Sequence, residues 1–177
     1  MIYKSNNPTV PNIYLNIGHL IDHFMMLIFA KAAYDSGRYF GLNYDEMIIY
    51  GTLGMVLFGA TAPLAGFLSD KYGRMPLMIL YHFGIGISAI LASLSTSTYQ
   101  LAMCLALIGM FASIYHPVGI AMLLQRPGVV GLRMGINGVW GNMGIAVAPI
   151  VTGVLLYYGD WRLTFMVPGI ICIIFGI

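Results

Sequence analysis

Apolar residues run along this chain in long blocks broken by short polar punctuation, and within the blocks their order is helical, not alternating. Crossing the hydrocarbon of a bilayer takes about 20 residues of helix. The pattern predicts spans near 11–33, 47–68, 76–95, 98–124 and 134–157, with the start of a sixth at 163–177. A barrel would need short segments of strict alternation, which the blocks lack. The connectors carry turn chemistry: DSGRYFGLNYDE, DKYGRMP, STSTY, QRPGVVGLR and YGDWR. The sixth block reaches Ile177 without a polar exit, so the expectation is a fragment of a longer polytopic protein.

Composition sharpens this picture. Hydrophobic residues make up 59% of the 177 and charged ones 8%, against about 25% charged in a soluble domain. With a mean hydropathy of +0.85, the surrounding solvent must be lipid. The net charge of +2 comes with no basic block and no interleaving of aromatic and basic residues, so nothing points to a nucleic-acid partner. Cys104 and Cys172 both lie in apolar runs, which argues against a disulfide framework. The first block carries charge and lacks a small-residue cleavage site, so it reads as a retained span.

Charge then sets direction. With the amino terminus inside, Lys4, Lys71, Arg74, Arg126 and Arg133 fall on the inner side. Lys31, Arg38 and Arg162 fall outside, close to Asp35, Asp45, Glu46 and Asp160. The excess has the sign the positive-inside rule requires, giving a multi-pass protein of the plasma or inner membrane with a cytoplasmic amino terminus.

Between the second and third blocks stands GFLSDKYGRMP, residues 66–76. Its spacing resembles the signature loop of the major facilitator superfamily: Gly66, Asp70, Lys71, Gly73 and Arg74 match, and Met75 departs where a second basic residue is expected. Glycine at 73 permits a tight turn, Pro76 is placed to open the third helix, and Asp70 is expected at a helix start or beside a partner charge. In the fifth block Gly135, Gly144, Pro149 and Gly153 resemble the family's glycine-proline antiporter motif, with Ala148 and Thr152 where glycines are expected. Small residues at 135, 138, 141 and 144 would also serve as a general helix-packing face, and Pro149 would allow a bend.

The resemblance implies an all-α bundle, the amino-terminal half of a twelve-span transporter, whose other six helices would be a partner. HLIDHFMM in the first block and IYHPVG at 114–119 resemble the fosmidomycin-resistance branch of drug exporters. That branch implies export of a drug-like or organic small molecule, coupled to protons. The fourth block has no arginine midway, AMCLALIGMFAS being uncharged, so coupling through such a residue is not expected. Residues 1–177 alone are not expected to transport.

The first block also holds the candidate chemistry. A charge at bilayer depth costs roughly 2.5–3.5 kcal/mol. At 100° per residue, Asn12, Asn16, His19 and His23 share one flank, with Asp22 beside them. Such a stripe should face protein or a water-filled cavity. Two readings stand here: Asn16, His19, Asp22 and His23, with His116 before the helix-weakening Pro117, line a substrate and proton pathway, or Asp22 and one histidine form a structural bond between helices. His82 receives no role, and Met25, Met26 and the tyrosines read as packing or interface residues. A membrane metalloenzyme using His19, Asp22, His23 and His116 is the remote alternative; no HExxH is present, and the expectation is no enzyme, no metal and no cofactor. A passive facilitator or a sensor of the same fold is the nearer alternative.

Overall fold

The computed structural model describes residues 11–177, all helix and connector with no strand among them. Lys4, one of the inner basic residues, lies outside that range. Helix α1, Asn12–Phe40, ends at Gly41, whose positive φ of 74° lets its N–H turn back to the Arg38 carbonyl. The first connector is therefore much shorter than the pattern predicts. Its polar residues are absorbed by the helix: Ser36 is buried and donates to the Ala32 carbonyl at 2.9 Å. Gly37 is buried too, with the Leu42 carbonyl and Met47 where a side chain would stand.

Helices α2 (Tyr44–Ile48), α3 (Thr52–Ala60) and α4 (Ala62–Tyr72), with one 3₁₀ turn after α2, make a single apolar run bent by 45°. Pro63 lacks a donor for the Gly59 carbonyl, and Thr61 Oγ1 donates to the Leu57 carbonyl at 2.7 Å. Both loosen the ladder at the bend. Helix α5 (Arg74–Ser93) follows after Gly73 alone, then α6 (Thr98–Ala112) and α7 (Tyr115–Leu124). The run of α6 and α7 is broken at Ser113 and Ile114 because Pro117, four residues on from Ser113, has no N–H to give it. Helices α8 (Val130–Tyr158) and α9 (Leu163–Phe175) close the chain.

α1 packs most extensively against α8, α5 against α9 and α6, and α3 against α6. On α8 the buried residues are Asn137, Gly141, Gly144, Ala148 and Thr152, a single stripe at helical spacing turned toward α1. A Cβ at Gly144 would overlap the Leu20 carbonyl of α1, and one at Gly109 would overlap Gly54, so both crossings depend on bare backbone. The glycine-proline motif therefore divides. Gly144 makes the crossing, whereas Gly135, Gly138 and Gly153 face open space among the described residues. Pro149 causes no break, and α8 stays helical throughout. The outer side of α8 shows Ile136, Val139, Ile150 and Val154, as a lipid-facing surface would.

Candidate functional site

α1 supplies the first half of a polar cluster because its residues 16, 19, 22 and 23 recur on neighbouring turns. Asn16, His19 and Asp22 are buried, His23 is half-buried, and Asn12 is exposed at the helix end. α7 supplies the second half. Its break from α6 starts a new helix at Tyr115, placing Tyr115 and His116 against α1.

Two pairs result. His116 Nε2 lies 3.3 Å from Asp22 Oδ2; the carboxylate is wholly buried and the imidazole side chain 36% exposed. That is an ion-pair distance without hydrogen-bond alignment, and neither Asp22 oxygen has a hydrogen-bond donor among the described residues. His19 Nδ1 lies 2.8 Å from the Asn137 carbonyl. A carbonyl only accepts, so Nδ1 must carry the proton and Nε2 is left with its lone pair. His23 Nε2 is 3.1 Å from that same His19 Nε2, so one proton sits between the two rings.

Asn137 is the hub that the sequence reading missed. Its amide nitrogen donates to Asn16 Oδ1 at 3.0 Å and to Tyr115 Oη at 2.9 Å, while its carbonyl holds His19. Tyr115 donates to the Leu15 carbonyl at 2.6 Å and stacks on His19 at a ring separation of 5.0 Å. Tyr81 donates to the Gly18 carbonyl at 2.8 Å. Both tyrosines are fully buried polar anchors, which corrects the packing or interface role expected of them. A Cβ at Gly141 would stand 2.7 Å from the His19 ring, so the glycine makes room for the imidazole.

His19, His23 and His116 offer ligand nitrogens within 4.8 Å of one another, an arrangement among the described residues that could hold a metal ion. Asp22 is not part of that set, so the sequence-level ligand group of His19, Asp22, His23 and His116 loses its carboxylate, which turns to His116 instead. His82 lies apart, buried between α5 and α1, with Nδ1 2.9 Å from the Met78 carbonyl and 3.0 Å from Tyr14 Oη. A recess of about 210 Å³ also lies elsewhere, between α1, α3 and α6. Met25, Phe29, Gly54, Met55 and Leu105 line it with no titratable group, so the polar chemistry belongs to the histidine cluster.

The 66–76 loop is a one-residue connector between two helix ends, α4 closing before Gly73 and α5 starting at Arg74. Gly73 has φ +95°, a conformation side chains rarely adopt, and its N–H closes α4 on the Ser69 carbonyl at 2.9 Å. Arg74 Nη1 donates to the Ala121 carbonyl of α7 at 3.3 Å. Gly66 lies where a Cβ would make ordinary contact with Pro117. Asp70 corrects the expectation of a helix start: it sits exposed in the last turn of α4, the negative end of the helix dipole, and makes no ion pair among the described residues. Lys71 beside it has the favourable sign for that end.

The family profile of the Major Facilitator Superfamily matches residues 13–177. The chain belongs to the Major Facilitator Superfamily. It is a multi-pass, all-helical membrane protein of that superfamily, and the names of its relatives point to membrane transport. It is 31% identical over 108 residues to the puromycin resistance protein pur8 of Streptomyces alboniger, covering 59% of this chain and 22% of that one. It is 30% identical over 139 residues to a probable hexose phosphate transport protein of Chlamydia trachomatis, covering 77% of this chain and 30% of that one. It is 31% identical over 160 residues to the nitrate/nitrite transporter NrtP of Nostoc punctiforme, covering 84% of this chain and 32% of that one. The chain thus spans about a third or less of these superfamily relatives, and their printed substrates differ from one another.

Proposed function

We propose that this chain belongs to a secondary transporter that exports a drug-like or organic small molecule in exchange for protons. The observation that carries the reading is the convergence of Asp22, His19 and His23 of α1 on His116 of α7, with His23 and His116 half-open. Buried titratable groups in a span are costly unless they serve a path through the protein. Here the His19 and His23 rings share one proton, and the wholly buried Asp22 has one imidazole in reach. A proton moving among these groups would be held differently as the cavity opens to one side and then the other, linking it to the conformational cycle.

The remaining parts fit a rocking carrier. Arg74 ties α5 to α7 near the inner mouth, and exposed Asp70 at the end of α4 calls for a cationic partner. A second six-helix half would supply it, and the inner gate would shut when that pairing forms. The positive-inside excess supports a cytoplasmic amino terminus and a plasma or inner membrane. The puromycin resistance of one relative is consistent with drug-like cargo.

The experiment is counterflow and uphill transport by the full-length protein in vesicles with an imposed proton gradient. The expected result is puromycin-class accumulation that collapses on adding a protonophore. Equilibration without accumulation would identify a passive facilitator and overturn the coupling; absence of any flux would overturn transport of that cargo.

A further inference from the structure

We propose that His19, His23 and His116 form a binding site for a divalent transition-metal cation of the zinc class, and that the bound cation ties α1 to α7. Three features carry this beyond the presence of histidines. The three ligand nitrogens lie within 4.8 Å of one another although they come from two helices, with His116 about ninety positions after His23 in the chain. The spacing of His19 and His23, one helical turn apart, sets their Nε2 atoms 3.1 Å from each other. Two imidazoles sharing a tetrahedral zinc at about 2.0–2.1 Å stand roughly 3.3 Å apart, so this pair needs little movement to close on a cation.

The ring orientation is also fixed in advance. His19 gives its Nδ1 proton to the Asn137 carbonyl, which leaves the Nε2 lone pair facing His23. Metal-binding imidazoles are oriented by such an outer hydrogen bond. Gly141 leaves room beside Cε1 and Nε2 of the His19 ring, and Tyr115 stacked on its face resists rotation. His116 completes the set from α7, with its ring edge-on to both other rings at 5.3 and 5.5 Å. Its half-open side gives water a way to the fourth position.

The chemistry selects the class of ion. Three neutral imidazoles suit zinc, copper or nickel and offer no oxygen cage for magnesium or calcium. Asp22, wholly buried beside His116, supplies a negative charge against the cation without serving as a ligand in this arrangement. A cation taking the Nε2 lone pairs of His19 and His23 requires the proton between them to move to His23 Nδ1, which leaves both imidazoles neutral. It adds a bridge between α1 and α7, which at this point otherwise meet through ring contacts and the His116–Asp22 approach at 3.3 Å.

The test is calorimetric titration of zinc chloride into the purified full-length protein at fixed pH, with magnesium chloride as control, followed by thermal unfolding and zinc X-ray absorption. The expected result is saturable zinc binding at one site, a higher Tm with zinc, and an absorption spectrum with three imidazole ligands. In His23→Gln and in His116→Gln the affinity should fall at least about 10-fold and the Tm gain should vanish. The proposal is overturned by no saturable zinc binding, by binding undiminished in both variants, or by a shell of oxygen or sulfur alone. Binding is read without any transport, so its outcome stands apart from that of the carrier assay.

Discussion

Asp22→Asn should abolish gradient-driven accumulation, by about 100-fold or more, while leaving the folded protein intact and its substrate exchange active. Asparagine keeps the shape of the carboxylate and removes its charge. The charge is what the site has gathered: Asp22 is wholly buried, and His116 is the group set against it at 3.3 Å. A loss of about 100-fold corresponds to about 2.7 kcal/mol of coupling, near the upper end of what linked sites show. Exchange requires loaded carrier to rock between its two faces with no net proton movement, so it should survive. Stability discriminates between the two readings of the pair. If Asp22 and His116 formed a structural bond only, removing one partner would lower the Tm clearly, since breaking a buried pair costs about 3–5 kcal/mol. A coupling role predicts an unchanged or higher Tm, because an uncharged amide is cheaper to bury. Parallel measurement of Tm, exchange and accumulation checks this, and a fallen Tm with retained accumulation would favour the structural bond.

Gly144→Ala should prevent formation of the folded bundle, and Gly144→Leu more so. The added Cβ meets the Leu20 carbonyl of α1, which is backbone and cannot rotate away. Relief requires moving α8 off α1, and this is the most extensive helix contact among the described residues. The same crossing carries Asn137 and Gly141, so the polar cluster would come apart with it. Overpacking costs about 1–3 kcal/mol and occasionally more, and a clash with backbone that cannot rotate away puts this site at or beyond the upper end. Size-exclusion profile and thermal stability in detergent measure it. A monodisperse Gly144→Ala protein with the parent's Tm would refute the close approach.

Much of this architecture was legible from the residues. Apolar blocks of span length and the GFLSDKYGRMP loop indicate a helical membrane bundle of this superfamily, as the family match shows. The α1 stripe followed from helical spacing because polar residues in an apolar block are few enough to stand out. Other features could not be read. The helix over 35–40 was hidden because Ser36 and Gly37 look like turn residues, yet one satisfies its own hydroxyl and the other fits under the Leu42 carbonyl. Asn137 was passed over among the glycines of GINGVWG, although an asparagine one turn before Gly141 on the same face was the available signal. That His116 takes Asp22 while His23 takes His19 depends on the rotation of α7 after its break, a tertiary fact with no trace in spacing. The open face at Gly135 and Gly153 shows the same limit, since a run of small residues permits close approach without saying which of them meets a helix.

The account rests on a wet passage beside the α1 flank that carries His23. Its most direct test is cysteine labelling of His23→Cys in full-length protein whose Cys104 and Cys172 are replaced by serine. Reaction with a membrane-impermeant thiol reagent, at a rate that changes when substrate is present, is the predicted result. Labelling only by a lipid-soluble reagent, with the impermeant one inert from both sides of the membrane, would contradict it.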